Sequence, residues 1–223
     1  MVELVVFDIA GTTVHDGDTV NAAFRDTLAG YGLALPPAVI DGVMGLPKPD
    51  ALRILLAHAG RPVVAAEVDA LHAAFTERLI EHYRTGDVRE IPGATAAFAA
   101  LRAAGGKGAL DTGFFRPIAG VLLDRLGWRA PAVIDADVTS DEVPRGRPHP
   151  DMIRHLMARL GVTDPARVAK VGDTQADVEE GTNAGCGFVI GVLTGSSSRE
   201  QFQQWPHTHL VESVADVPAL LLG

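Results

Sequence analysis

The chain is short of several residue types, and each shortage excludes a class of protein. Cys186 is the only cysteine among 223 residues, which excludes an internal disulfide and a cysteine-built zinc site; we expect it to be a small buried apolar residue. Basic residues number 19 against 28 acidic ones, a formal net charge of −9. Because nucleic-acid binding needs a basic surface, we expect no nucleic-acid partner.

Long apolar runs are also missing. None reaches the about 18 residues that a membrane helix requires, and residues 1–6 lack the basic region and apolar stretch of a signal peptide. We therefore expect no membrane partner and a cytoplasmic protein. What is present is ordinary globular composition, with 47% hydrophobic and 21% charged residues, enough for one core and a small accessory domain.

Short apolar segments alternate with helical patterns along most of the chain. Strands are predicted at residues 4–7, 108–110, 133–134, 168–171 and 188–192. Helices are predicted at 94–104, 116–126, 150–160, 176–184 and, at the end of the chain, 213–222. This alternation is typical of an α/β, Rossmann-like, doubly wound parallel sheet, whose ligands lie beyond the carboxyl ends of the strands.

One long segment interrupts the alternation. Residues 19–84 carry only helical signals, with apolar residues three or four positions apart. An all-helical insertion directly after the first strand is placed to cover the site as a cap. With turn-rich hinges at 16–18 and 86–92, we predict a catalytic core of residues 1–17 and 87–223 and a helical cap domain of residues 18–86.

Acidic residues follow two of the predicted strands. Asp8 ends the first strand, and Asp173 and Asp177 follow the strand at 168–171. Carboxylates gathered at one edge of a sheet repel one another unless a cation neutralises them, and Mg²⁺ prefers oxygen ligands. The sequence therefore predicts a magnesium site, although Asp173 or Asp177 could instead cap the helix that follows.

Two further features lie at predicted strand ends and loops. The Thr112-Gly113 pair ends a strand, where a hydroxyl and free amides can hold phosphate oxygens, yet both are also common turn residues. Arg147 precedes a helix and could bind a phosphoryl group through two nitrogens, or be a solvated surface charge. Neither feature is specific by itself.

Together these motifs resemble the haloacid dehalogenase superfamily along the whole chain. Residues 8–13 (Asp-Ile-Ala-Gly-Thr-Thr) are similar to its first motif, Thr112-Gly113 to its second, Arg147 to its third, and residues 171–177 to its fourth. The usual second aspartate of the first motif, which protonates the leaving group, is replaced by Ala10. That departure and the arginine of the third motif resemble phosphonoacetaldehyde hydrolases (phosphonatases) and their relatives.

Because this acid is missing, another residue must assist the leaving group, and a lysine is the candidate. Without an acid the site is poorly equipped to release an alkoxide from a phosphate ester. In phosphonatases a cap lysine forms a Schiff base with the substrate aldehyde and accepts the electrons of the breaking carbon–phosphorus bond. Residues 44–48 (Met-Gly-Leu-Pro-Lys) resemble the segment that carries it, and Lys48 alone of the three lysines falls in the predicted cap. Burial and the helix starting near Pro49 would lower its pKa.

The resemblance implies cleavage of phosphonoacetaldehyde or a related 2-oxoalkylphosphonate, with Asp8 as nucleophile. It also implies a homodimer formed through the cap helices as a candidate assembly. Two positions depart from the phosphonatase pattern, since Ala51 replaces a histidine and Phe114 a tyrosine. One rival hypothesis is a phosphomonoester phosphatase in which Lys48 is incidental. A second is a receiver-like phospho-acceptor, which the long helical insertion and the late position of the Asp173/Asp177 pair disfavour. The predicted site comprises Asp8, Lys48, Thr112 and Arg147 (catalytic), Gly11, Thr12, Met44 and Gly113 (substrate), and Asp8, the Ala10 carbonyl, Asp173 and Asp177 (magnesium).

Overall fold

The computed structural model describes residues 2–223 and contains one parallel sheet with helices on both faces. The strands are β1 (Leu4–Asp8), β2 (Lys107–Thr112), β3 (Ala136–Thr139), β4 (Val168–Gly172), β5 (Phe188–Val192) and β6 (His209–Val211). They lie in the order β3-β2-β1-β4-β5-β6, and every neighbouring pair is parallel. The predicted fold class is confirmed.

The helices divide into two groups. Those from residue 94 onward are α5 (Ala94–Ala103), α6 (Arg116–Leu126), α7 (Asp151–Leu160), α8 (Gln175–Ala184) and α9 (Arg199–Phe202), with α10 (Val217–Leu222) after the last strand. The other four, which we call the helical insert, are α1 (Thr19–Gly30), α2 (Pro37–Asp41), α3 (Lys48–His58) and α4 (Ala65–Thr85). The predicted all-helical insertion after β1 is thus present, while its separation as a domain at residues 18–86 stays a prediction.

The helical insert has an apolar interior of its own that continues into the core. Phe24 of α1 and Phe75 of α4 pack with ring centroids 4.5 Å apart, and Leu52 and Leu55 of α3 are fully buried beside them in the same cluster. Spacing of three and four residues puts these side chains on one face of each helix. The buried face holds the insert together as a unit.

One predicted strand is wrong. Val133 lies in a turn, in which its amide bonds to the Arg129 carbonyl, Ile134 has no regular secondary structure, and the strand itself is Ala136–Thr139. This strand lies at the edge of the sheet, where one side has no neighbouring strand and a continuous apolar run is unnecessary. The mixed sequence Ala-Asp-Val-Thr therefore gives no clear strand pattern. The short edge strand β6 was not predicted either. No helix in residues 2–223 has the length and apolar character to cross a bilayer.

Candidate active site

A cavity of about 330 Å³ lies where the carboxyl ends of the central strands meet the helical insert. The register of the sheet brings its floor together, because Asp8 at the end of β1 pairs with Asp111 of β2 and Phe7 pairs with Val171 of β4. Nine predicted site residues line this cavity: Asp8, Ala10, Gly11, Met44, Lys48, Thr112, Gly113, Arg147 and Asp173. Thr12 and Asp177 do not line it but contact two residues that do, Asp173 and Arg147.

The Asp8 carboxyl group is buried at the floor of the cavity. Its Oδ1 accepts a hydrogen bond from Arg147 Nη1 at 2.7 Å. Burial raises the pKa of Asp8 to about 7; Arg147 opposes this rise, and the negative charges of Asp177 and Asp173 add to it. Arg147 thus orients the Asp8 carboxyl group, and a further positive charge beside it would favour its ionised form.

Asp173 is held by hydroxyl and amide donors from two loops. Thr12 Oγ1 donates to its Oδ1 at 3.0 Å, and the Ser196 amide donates to its Oδ2 at 2.8 Å. Burial and the charge of Asp177 nevertheless raise the pKa of Asp173 to about 6. Thr12, predicted to bind substrate, therefore has a positioning contact with Asp173 through its side chain.

Asp177 has two roles in the structure. It is the third residue of a capping box that begins α8, in which Thr174 is the N-cap and the Asp177 side chain accepts from the Thr174 amide at 3.2 Å. The capping alternative considered for this position is present. Its other oxygen lies 3.0 Å from Arg147 Nη1 and 3.1 Å from Lys170 Nζ, so it also belongs to the charged floor.

The acidic cluster of Asp8, Asp173 and Asp177 fits a divalent metal ion. One carboxylate oxygen of each lies within 4.8 Å of the others, and all three residues are buried. The raised pKa values of Asp8 and Asp173 reflect burial and mutual repulsion, which a cation would relieve. An all-oxygen donor set suits Mg²⁺.

Beneath Asp8 lies a buried ionic cluster that sequence reasoning missed. Arg147 Nε donates to Glu180 at 2.9 Å, and Arg147 Nη2 and Lys170 Nζ both donate to Asp111. Lys170 Nζ also lies 3.3 Å from Glu180. Arg147 was predicted to bind phosphoryl oxygens, yet all three of its nitrogens contact protein carboxylates, so the contacts present orient Asp8 rather than a ligand.

Lys48 is the first residue of α3 and faces the cavity from the side of the helical insert. Its side chain is buried, with Nζ donating to the Leu46 carbonyl at 3.3 Å and lying 5.2 Å from the centre of the Phe114 ring and 5.6 Å from that of Phe24. Burial lowers the pKa of Lys48 to about 8, against the opposing effect of Asp8. The amine is therefore closer to its nucleophilic form than a surface lysine.

The helical insert contacts the core at two glycines where a side chain would not fit. A Cβ on Gly45, which has φ of +81°, would lie 2.2 Å from Thr174 Oγ1. A Cβ on Gly113 would lie 2.6 Å from the Leu46 carbonyl oxygen. The loop that leads into Lys48 thus rests directly on the second and fourth sequence motifs, and Lys48 lines the same cavity as Asp8.

The predicted site residues gather at one place, while their chemical roles stay predictions. Sequence reasoning missed part of the cavity wall, namely His15, Asp16, Asp18, Asn21, Thr174 and Ser196, and the charges below it, namely Asp111, Lys170 and Glu180. A signal was available for the second group, because a charged residue within a buried strand needs an opposite charge beside it.

Comparisons with known proteins agree with this arrangement. The family model for haloacid dehalogenase-like hydrolases matches residues 2–185. The phosphonoacetaldehyde hydrolase of Bacteroides fragilis is 33% identical over all of this chain and 89% of its own length. Among solved structures, a hydrolase from Pseudomonas syringae superposes with a TM-score of 0.89 at 18% identity, covering 99% of this chain and 98% of that one. A phosphonoacetaldehyde hydrolase-like protein from Oleispira antarctica gives 0.81 at 24% identity, with 99% and 91% covered.

Proposed function

Because the chain belongs to the haloacid dehalogenase-like hydrolase family, we propose that it hydrolyses the carbon–phosphorus bond of phosphonoacetaldehyde or a related 2-oxoalkylphosphonate, with Mg²⁺ as cofactor. The observation that carries the proposal is the buried Lys48 amine, with its pKa lowered to about 8, in the same cavity as Asp8. The name of the Bacteroides fragilis relative supports the same substrate class.

The site lacks the second carboxyl group that would act as an acid in the hydrolysis of a phosphate ester. Ala10 lines the cavity at the position where a second carboxyl would protonate a leaving oxygen. A phosphonate has no leaving oxygen, since the bond to be broken ends on carbon. An electron acceptor on the carbonyl side replaces the acid, and an iminium on Lys48 is such an acceptor.

In the proposed reaction Lys48 Nζ adds to the carbonyl carbon, and loss of water gives the iminium. Asp8 then attacks phosphorus; the carbon–phosphorus electrons move into the iminium, which leaves an enamine on Lys48 and an aspartyl phosphate on Asp8. Arg147 holds the attacking carboxylate at 2.7 Å. Thr112 and the amides near Gly11, Thr12 and Gly113 bind phosphoryl oxygens at the strand ends, and Met44 borders the organic part.

The residues that would hold magnesium are Asp8, the Ala10 carbonyl and Asp173, with Asp177 behind them. When bound, the ion supplies positive charge that offsets the negative charge of the phosphoryl group. Water is kept from the reacting atoms by the contact of the helical insert with the core at Gly45 and Gly113. The substrate is a small molecule, which suits a cavity of about 330 Å³.

Lys48→Ala should lower magnesium-dependent phosphate release from phosphonoacetaldehyde by about 10³-fold or more, because the electron acceptor is lost. The assay is run beside phosphate monoesters and with Lys107→Ala, a lysine at the opposite end of β2, as the matched control. Borohydride added with the substrate should leave a permanent adduct on Lys48 in the parent and none in Lys48→Ala, as read by mass spectrometry. Ester turnover that is indifferent to Lys48 would replace this proposal with the phosphatase.

The rate at which a small acylating reagent labels Lys48, a step that needs no acid catalyst, should depend on pH through the Lys48 amine. The lowered pKa of about 8 means that the neutral, nucleophilic amine grows about tenfold per pH unit below pH 8 and levels off above it. An unperturbed lysine would continue to gain up to a pH of about 10.4. Initial rates of labelling between pH 6 and 10, read by mass spectrometry on Lys48, separate the two curves, and a rate that still rises at pH 10 would contradict the burial argument.

A further inference from the structure

The carbonyl chemistry proposed at Lys48 needs a proton carrier, and the immediate neighbours of the amine cannot supply one. They are the rings of Phe24 and Phe114 and the carbonyl of Leu46. Ala51, one turn further along α3, is fully buried and carries no polar group. Converting a carbinolamine to an iminium nevertheless requires an acid for the departing hydroxyl, and the reverse reaction requires a base.

The carboxyl groups of the cavity wall differ in the hydrogen bonds and ion pairs that they already make. Asp8 and Asp173 belong to the phosphoryl end, where one contacts Arg147 and the other Ser196. Asp18 is paired with Arg25, and its side chain is 55% exposed. His15 is exposed as well. The remaining carboxyl group of the wall, within the part of the chain that the structure describes, is Asp16.

Asp16 stands just before α1, where the chain passes from the core into the helical insert. Its Oδ1 and Oδ2 lie 3.3 and 3.4 Å from the Val20 amide, which fixes the carboxyl group at the start of the helix. The residue is half-buried and has no ion pair among the described residues that orients it elsewhere. Burial raises its pKa, and Lys48 is the first cation that acts against this rise.

The influence between the two groups runs in both directions. The charge of Asp16 also acts on Lys48, after those of Asp8 and Arg147. The groups that face Asp16 electrostatically are thus Lys48, Asp18, His15 and the buried Tyr83 of α4, together with the backbone of Val20. A carboxyl group whose pKa burial has raised is better suited to hold a proton than one in water.

We propose that Asp16 is the catalytic acid–base of the Schiff-base steps, an inference that rests on the proposed function. In its protonated form Asp16 gives its proton to the hydroxyl of the carbinolamine on Lys48; the carbon–oxygen bond breaks, water leaves and the nitrogen lone pair forms the carbon–nitrogen double bond. After carbon–phosphorus cleavage the enamine carbon takes the proton released when water hydrolyses the aspartyl phosphate. The Asp16 carboxylate then takes a proton from the water that attacks the iminium, which returns Asp16 to its first form and frees the aldehyde or ketone product.

The test measures iminium formation apart from phosphoryl transfer. In an Asp8→Asn background the carbon–phosphorus bond is not cleaved, so the adduct on Lys48 accumulates with phosphonoacetaldehyde and is counted by rapid borohydride quench and mass spectrometry. Adding Asp16→Asn, which keeps an acceptor for the Val20 amide, should slow adduct formation about 100-fold. Asp26→Asn, at an exposed position of α1 outside the cavity wall, is the matched control and should form the adduct at the rate of the background.

Chemical rescue distinguishes proton transfer from a structural effect. With Asp16→Ala in the same background, added formate should restore part of the rate, because a small carboxylic acid can occupy the space of the missing side chain. Adduct formation at the parent rate in Asp16→Asn, or a slow Asp16→Ala variant that formate leaves unchanged, would overturn the role of Asp16. Absence of the adduct even without a change at Asp16 would instead overturn the Schiff base itself.

Discussion

Asp8→Asn is expected to reduce phosphate release from phosphonoacetaldehyde by about 10⁵-fold or more, the largest loss among the variants considered. An amide at this position cannot form the acyl phosphate. It also cannot both accept the 2.7 Å hydrogen bond from Arg147 and present a second anionic oxygen to a metal ion. Steady-state phosphate release with saturating magnesium measures the loss.

Folding should survive this substitution, which makes the result interpretable. Burial and the neighbouring carboxylates raise the pKa of Asp8 to about 7, so the folded protein holds a charge there at a cost that a neutral amide avoids. We expect the urea unfolding midpoint of Asp8→Asn to equal or exceed that of the parent at pH 8. Asp26→Asn, at an exposed position outside the cavity wall, serves as the matched aspartate control for activity. Residual turnover above about one per cent in Asp8→Asn would exclude Asp8 as the nucleophile.

The two halves of the proposed reaction should separate in this variant. Lys48 does not depend on Asp8 for its contacts, since its neighbours are Phe24, Phe114 and the Leu46 carbonyl. Asp8 acts on Lys48 only by raising its pKa, so its removal should favour the neutral amine. Borohydride trapping on Lys48 should therefore persist or increase while phosphate release is lost.

The sequence was informative where the chemistry follows strand ends. Asp8, Thr112 and Asp173 each come directly at or after a buried strand, and the parallel sheet brings all three to one cavity. Lys48 was found from a different signal, the lack of an acid at residue 10 together with a short segment that resembles a known family. Neither signal required knowledge of tertiary contacts.

The buried charges of β2 and β4 were not predicted, although their sequence contexts hold a signal. Lys170 lies inside the apolar strand β4 and Asp111 inside β2, and both strands flank β1 in the sheet. Two opposite charges in buried strands on the two sides of β1 can be stable only if they meet. Glu180 follows Asp177 by three residues on α8, a spacing that places both on one face. Considering the strands together would have identified this cluster.

Asp16 illustrates what the sequence could not provide. Turn residues surround it in the sequence. They predict a hinge but do not indicate which part of the molecule Asp16 faces. Only the folded chain shows that the hinge passes along the wall of the cavity that Lys48 enters from α3. A carboxyl group in a loop acquires a role from what lies across the cavity, and that arrangement depends on how the helical insert rests on the core.

In the described part of the chain, only two cations, Arg147 and Lys170, contact the four buried carboxyl groups of Asp8, Asp111, Asp177 and Glu180. This excess of acidic groups leads to the second large effect. Asp111 and Glu180 are buried next to Arg147 and Lys170. Asp111 Oδ2 and Glu180 Oε1 are buried without another N–H or O–H donor in residues 2–223. Burial and then the charge of Asp111 raise the pKa of Glu180 well above its ordinary value, whereas Arg147 and Lys170 outweigh burial and keep the pKa of Asp111 low. We therefore expect Glu180 to keep a proton that it shares with Asp111.

Lys170→Met should then lower the free energy of unfolding by about 3–5 kcal/mol, because it leaves buried carboxylates without one of their two cations. Glu180→Gln should cost less than about 1 kcal/mol, since the amide reproduces a protonated carboxyl: its NH₂ donates to Asp111 and its oxygen accepts from Arg147. Urea unfolding at pH 7 measures both. A large loss in Glu180→Gln would mean that Glu180 is ionised. Adding Asp111→Leu to Lys170→Met should recover much of the lost stability, because the uncompensated charge, rather than the missing contact, is what destabilises the fold.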